Sequence, residues 1–123
     1  MAKGLSAIVL VLVAVGAIVL SARGPGPREI RLVARDMTFY VEGQPEPNPT
    51  LRLRAGESVR VVLRNDDAGM THDFAVPGLK ASTRRIESGE EASVTFRAPG
   101  RAASEPYTCR PHSKIMRGTI LIE

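Results

Sequence analysis

The stretch Glu105–Glu123, EPYTCRPHSKIMRGTILIE, closes the chain and decides how the rest is read. EPYT and RGTILIE have strand composition, and only six residues, Pro111 among them, separate Cys109 from Met116. A loop that short, tethered by a strand at each end, can fold the Cys109 thiol, the His112 imidazole and the Met116 thioether towards one point. Each residue also has an ordinary reading. A lone cysteine is commonly a small buried hydrophobe, a histidine after proline suits a surface turn, and a methionine suits a core.

Working back from this stretch, the chain reads as short alternating runs broken by turn residues. EIRLVA places Ile30, Leu32 and Ala34 on one face, and TLRLRAGE does the same with Leu51 and Leu53 before stopping at Gly56. SVRVVLRN puts Val59, Val61 and Leu63 inward and Arg60, Val62 and Arg64 outward. HDFAV and ASVTFRAPG follow. Alternation over 4–8 residues signals half-buried strands. Three prolines make Gly43–Thr50 a loop or sheet edge, and no run keeps a helical period. About seven short strands at this spacing predict an all-β fold, a β-sandwich with Greek-key connections. A small open barrel fits the same periodicity.

The first residues belong to something else. Gly4–Ala22 carries no charge after Lys3, and about 20 apolar residues suffice for a helix to cross a bilayer. The run exceeds the roughly 7–15-residue apolar centre of a cleaved signal. Cleavage after Ala22 would also set Leu20 where a small residue is preferred. Residues 1–22 therefore read as an apolar N-terminal helix, an uncleaved membrane anchor rather than a cleaved signal sequence. Arg23, Arg28, Arg31 and Arg35 on its far side pull that side towards the cytoplasm. An N-terminal anchor ahead of a folded domain works instead as an export signal, and an extracytoplasmic location, periplasmic or on the outer face, is the expectation. Residues 23–28, alternating Gly and Pro, form a spacer, and 29–123 form one small domain.

The remaining composition excludes more than it specifies. The 17 basic and 13 acidic residues leave a net charge of +4, and no basic run is interleaved with aromatics, so nucleic-acid binding has no support. One cysteine cannot form an internal disulfide.

His72, at the start of HDFAV, is the only other histidine. If its strand neighbours the last ones at the same end, the set becomes His72, Cys109, His112 and Met116. Two imidazoles, a thiolate and a weak axial thioether are the ligands of a mononuclear copper site for electron transfer. Met70 shares a strand face with His72 and competes with Met116 as the axial sulfur, Met116 being preferred because the loop holds it beside His112. Tyr107 shares the face of Cys109 and reads as core packing.

These residues carry a family resemblance over about Glu29–Glu123. YTCRPH resembles the Tyr-x-Cys-x-Pro-His ligand loop of plastocyanin-like and pseudoazurin-like proteins, and HSKIMRGTILIE resembles the azurin-like ending. NDDAGMTHDFAV resembles the region around the first histidine. The chain is thus similar to the cupredoxins, the type 1 (blue) copper proteins. The resemblance implies one copper ion, cycling between Cu(I) and Cu(II), held by the Nδ1 atoms of His72 and His112, the Cys109 thiolate and an axial Met116. Many members have Asn after the first histidine, hydrogen-bonded across to the cysteine loop. Here Asp73 stands there, either making a charged version of that contact or pointing to solvent.

Other functions fit less well. Zinc prefers a closed tetrahedral set of Cys, His or carboxylate ligands. A cysteine protease needs an orienting group and an oxyanion motif that are not recognisable here, and no enzymatic activity is expected. The copper domain of cytochrome oxidase subunit two, which HDFAVPG also resembles, needs a second cysteine. Two further readings are a copper-handling protein that carries no electrons and a metal-free cupredoxin-like interaction domain. For electron transfer a redox partner protein is required, and Arg110, Lys114 and Arg117 around His112 favour an acidic one.

Overall fold

The computed structural model describes residues 26–123. The apolar segment 4–22 lies outside the described residues, and among those described no helix is long and apolar enough to cross a membrane. Nine strands follow one another: β1 (Arg28–Arg35), β2 (Thr38–Val41), β3 (Leu51–Leu53), β4 (Ser58–Asn65), β5 (Ala75–Val76), β6 (Ala81–Ser82), β7 (Glu91–Arg97), β8 (Ala103–Thr108) and β9 (Arg117–Ile122). One sheet has the order β2-β1-β4-β7 and the other β3-β9-β8-β5-β6. The β1–β4 and β3–β9 pairs are parallel and the rest antiparallel. The architecture is an all-β sandwich of two mixed sheets rather than an open barrel, and its non-consecutive neighbours are joined by crossovers.

Both sheets contribute to one core. Leu32, Ala34, Val59, Val61 and Leu63 come from the first, and Leu51, Leu53, Tyr107, Ile120 and Ile122 from the second. Each fully buried Val or Leu side chain stabilises by about 1.5–3 kcal/mol relative to exposure, so the alternation in β4 commits that strand to its register. Val62, expected outward and solvated, is buried. The register sets it between Arg31 of β1 and Ser93 of β7, under a lattice of ion pairs on the outer face. In that lattice Arg31 reaches Glu42 at 3.1 Å and Glu91 at 2.8 Å, Arg64 reaches Glu42 at 2.8 Å, and Arg60 reaches Glu29 at 3.1 Å.

Other differences from the expected strands have local causes. β1 starts at Arg28, the last residue of the expected spacer. That side chain donates to the Arg52 carbonyl and to Glu57, both at the far end of the sandwich from the ligand loop. The expected strand HDFAV shrinks to Ala75–Val76, and His72 makes only an isolated bridge to Ile86. β2 breaks no sequence rule but is short. It forms because the two-residue turn Asp36–Met37 returns the chain beside β1, with both residues at positive φ (50° and 57°).

Three of the five aromatic residues gather in the core. Phe39, Phe74 and Tyr107 have ring centroids 5.5–6.2 Å apart. Tyr107 is fully buried, as core packing requires, and its hydroxyl donates to the Pro49 carbonyl at 2.6 Å. Its ring covers its cross-strand partner Gly118, where a Cβ would lie 2.4 Å from ring atoms.

Candidate metal centre

Three of the expected ligands converge. Cys109 Sγ lies 3.6 Å from His72 Nδ1 and 3.6 Å from His112 Nδ1. All three donor atoms fall within 4.8 Å of one another, with His72 and Cys109 buried and His112 partly exposed. The two rings meet edge to face, centroids 5.0 Å apart.

Backbone hydrogen bonds put Cys109 and His112 there. Cys109 follows the last residue of β8, and its N–H donates to the Met116 carbonyl at 3.0 Å, closing the loop at its neck. Inside the neck a single 3-10 turn, Arg110–His112, starts with Pro111 near its first position, where the missing N–H costs nothing. The His112 carbonyl then accepts from both Ile115 and Met116. Met116 is fully buried in the core cluster beneath, whereas Met70 is 37% exposed.

The loop carrying His72 is held by side chains that the sequence reading did not single out. Asn65, fully buried, donates to the Met70 carbonyl at 2.7 Å and to the Ile86 carbonyl at 3.1 Å, and accepts the Asp67 N–H at 2.9 Å. His72 and Ile86 exchange backbone bonds of 3.1 and 2.8 Å. Asp67 accepts from the Asp36 and Met37 N–H groups, at 2.5 and 3.0 Å, and lies 2.7 Å from His72 Nε2. Burial by itself raises the Asp67 carboxyl. The Met37 N–H, the His72 ring and the Asp36 N–H outweigh it and hold the group below the usual carboxylate range. The available signal was the run Asn65-Asp66-Asp67, residue types whose side chains bond nearby backbone. A partner in the β1–β2 turn, some thirty residues away, leaves no local trace.

Asp73 does not point to solvent. It is fully buried and accepts the Arg110 backbone N–H at 2.7 Å and Arg110 Nε at 2.6 Å, with Arg85 Nε at 4.0 Å. The contact from the first-histidine loop to the cysteine loop therefore exists in charged form, and Arg110 neutralises it. Arg110, expected at a docking surface, serves this internal pair.

Burial pushes the Cys109 thiol up; the Asp73 and His112 backbone N–H groups and Arg85 pull it down, and the charge on Asp73 raises it further. The net rise keeps the sulfur protonated in the metal-free protein, so a metal must displace that proton. The donors suit copper. With bonds of about 2.0–2.3 Å to nitrogen and sulfur, an ion between the two sits where its donors are about 3.6 Å apart at near-trigonal angles. No carboxylate joins the donor cluster among the described residues. Asp67 bonds the far edge of the His72 ring and Asp73 faces Arg110, so a closed zinc tetrahedron lacks its fourth hard or thiolate ligand.

A family of copper binding proteins, the plastocyanin/azurin family, matches residues 34–123. The chain belongs to this family. It is a cupredoxin, and the family together with the His72–Cys109–His112 cluster indicates one copper ion. Among solved structures, auracyanin B superposes with a TM-score of 0.64 at 21% identity, over 81% of this chain and 92% of that one. Auracyanin A, described as a "blue" copper protein from the green thermophilic photosynthetic bacterium Chloroflexus aurantiacus, gives 0.59 at 18%, over 80% and 100%. Rusticyanin from Thiobacillus ferrooxidans gives 0.57 at 22%, over 77% and 76%. At these identities the likeness establishes the cupredoxin fold. A sequence search of curated proteins finds no match.

Proposed function

We propose that this cupredoxin is a one-electron carrier, not an enzyme, with a type 1 copper site formed by His72, Cys109, His112 and Met116. The observation that carries the reading is the pair of 3.6 Å separations from Cys109 Sγ to the two Nδ1 atoms. Copper, when bound, supplies a Cu(II)/Cu(I) couple. The protein's part is to hold a donor set that suits both states, thiolate and thioether for Cu(I) and imidazole for either. Burial of Met116 beneath the loop neck, against the exposure of Met70, supports Met116 as the axial sulfur. His112 is the partly exposed donor and gives electrons their way out.

The partner in this reading is an acidic redox protein docking around His112. Lys114 and Arg117 make no ion pair among the described residues and are available to it, whereas Arg110 is committed to Asp73. Rates of electron exchange with such a partner fall as salt rises; rates independent of salt refute the docking assignment. The domain organisation and place in the cell go with this role: residues 1–22 anchor the chain, 23–28 space it, and 29–123 work on the extracytoplasmic side. The 4–22 apolar run supports this, and fractionation of the full-length chain with soluble protein overturns it.

The deciding experiment adds Cu(II) to the full-length chain. An intense visible thiolate-to-copper band, lost in Cys109→Ser, is expected. A colourless protein that binds Cu(I) tightly assigns copper handling instead, and no copper binding leaves a scaffold.

A further inference from the structure

We infer that Asp67 is the positioning residue of the copper site: its carboxylate fixes the His72 ring and biases the bound couple towards Cu(II). The inference rests on the copper reading above but starts from a different observation. His72 is fully buried and its Nε2 lies 2.7 Å from Asp67 Oδ2. An ionised carboxylate only accepts hydrogen bonds. Nε2 therefore donates to Asp67, and Nδ1, the ring's other nitrogen, faces Cys109 Sγ, 3.6 Å away.

Both ends of this bond are anchored. Asp67 is fixed by the Asp36 and Met37 N–H groups of the β1–β2 turn and by its own N–H on Asn65. His72 is fixed by its backbone exchange with Ile86. One carboxylate thus ties a turn with two residues at positive φ to a metal ligand. The other carboxylate near the site, Asp73, is neutralised by Arg110 at 2.6 Å. Asp67 has no Lys or Arg partner among the described residues; its carboxylate oxygens accept from N–H groups and meet the imidazole. A carboxylate behind a ligating imidazole makes the ring a stronger donor and stabilises the higher metal charge. The two imidazoles are therefore unequal: His72 is carboxylate-backed and buried, while His112 has no such partner among the described residues.

Two measurements test this. In the metal-free full-length chain, nitrogen-15 NMR of the His72 ring is expected to show the Nε2–H tautomer with a slowly exchanging ring proton. An Nδ1–H tautomer, or rapid exchange, overturns the positioning role, and this readout needs no copper. In the copper-loaded chain, Asp67→Asn is expected to lower the ratio of Cu(II) to Cu(I) affinity about 10-fold, a rise of about 59 mV for a one-electron couple. A folded Asp67→Asn whose affinity ratio is unchanged overturns the bias. If that variant does not fold, the NMR result decides. Failure of wild-type copper binding refutes the copper reading by itself and leaves the ring tautomer as a separate result.

Discussion

Arg110→Ala should destabilise this protein far more than the exposure of Arg110 suggests. The side chain is 47% exposed, and a pair between two exposed groups contributes about 0–1 kcal/mol. Its partner Asp73, however, is fully buried. Removing one member of a buried pair strands the other charge, at about 3–5 kcal/mol. Two contacts soften the loss, since the Arg110 backbone N–H stays on Asp73 at 2.7 Å and Arg85 Nε stands 4.0 Å away. The expected cost is therefore about 2–3 kcal/mol, below the full buried-pair figure. Asp73→Asn should cost about 1–2 kcal/mol, because the amide oxygen still accepts the backbone N–H and the guanidinium keeps its bond to the Thr83 carbonyl, while the amide NH2 lacks an acceptor. Arg110→Ala added to Asp73→Asn should then cost little more, a coupling of about 2 kcal/mol. The chain has no tryptophan, so urea unfolding of the metal-free protein is followed by circular dichroism at constant m-value. An Arg110→Ala effect within about 0.5 kcal/mol, the range of ordinary surface substitutions, refutes the assignment of Asp73 as a buried charge dependent on Arg110.

Three further outcomes are expected. Gly118→Ala drives a Cβ into the Tyr107 ring and should cost about 1–3 kcal/mol as an overpacked core does, read as a lower urea midpoint. Glu57 is held below the usual carboxylate range, chiefly by its hydrogen bond from Arg28. Its contribution is present above the unfolded carboxylate range and is lost as pH falls through the lower folded value. Glu57→Gln should therefore cost about 0.5–1 kcal/mol at neutral pH and nothing in strong acid, measured by urea titrations at both pH values. With copper bound, Met116→Leu should change the reduction potential while Met70→Leu leaves it in place, as voltammetry of the two variants will show.

The residues that made the fold legible were those whose neighbours in sequence are also their neighbours in consequence. Val59, Val61 and Leu63 alternate because β4 has one buried face, and that pattern is visible locally. Cys109 and His112 share one short loop, so their meeting could be read from spacing. His72 was reachable as the only other imidazole in the chain. The burial of Val62 is not legible in β4 because the ion pairs over it join Arg31 of β1 to Glu42 and to Glu91 of β7, which pattern within one strand does not record. Asp67 and Asn65 were unread for the same reason. Their partners, the Asp36–Met37 turn and Ile86, are brought close only by the β1–β4 and His72–Ile86 pairings. Sequence alone allows Asp73 two orientations, because its partner Arg110 meets it only once the His72 and cysteine loops are brought together.

These contacts explain how the fold holds three donors close together. The cysteine loop is closed at its neck by the Cys109–Met116 backbone bond, and the His72 loop is closed separately by Asn65 and Ile86. Either loop alone would leave the distance between His72 and Cys109 unspecified. The Asp73–Arg110 pair joins them, with one end beside each ligand. Because that joint is buried on the carboxylate side and solvated on the guanidinium side, it resists separation without demanding full desolvation of both charges. Rigidity then rests on the His72 side, where the carboxylate and the β1–β2 turn stand behind the ring. His112 is left as the donor nearest solvent. The proposed electron transfer needs that division: donors that barely move when the metal changes charge, and one ligand edge that a partner can approach.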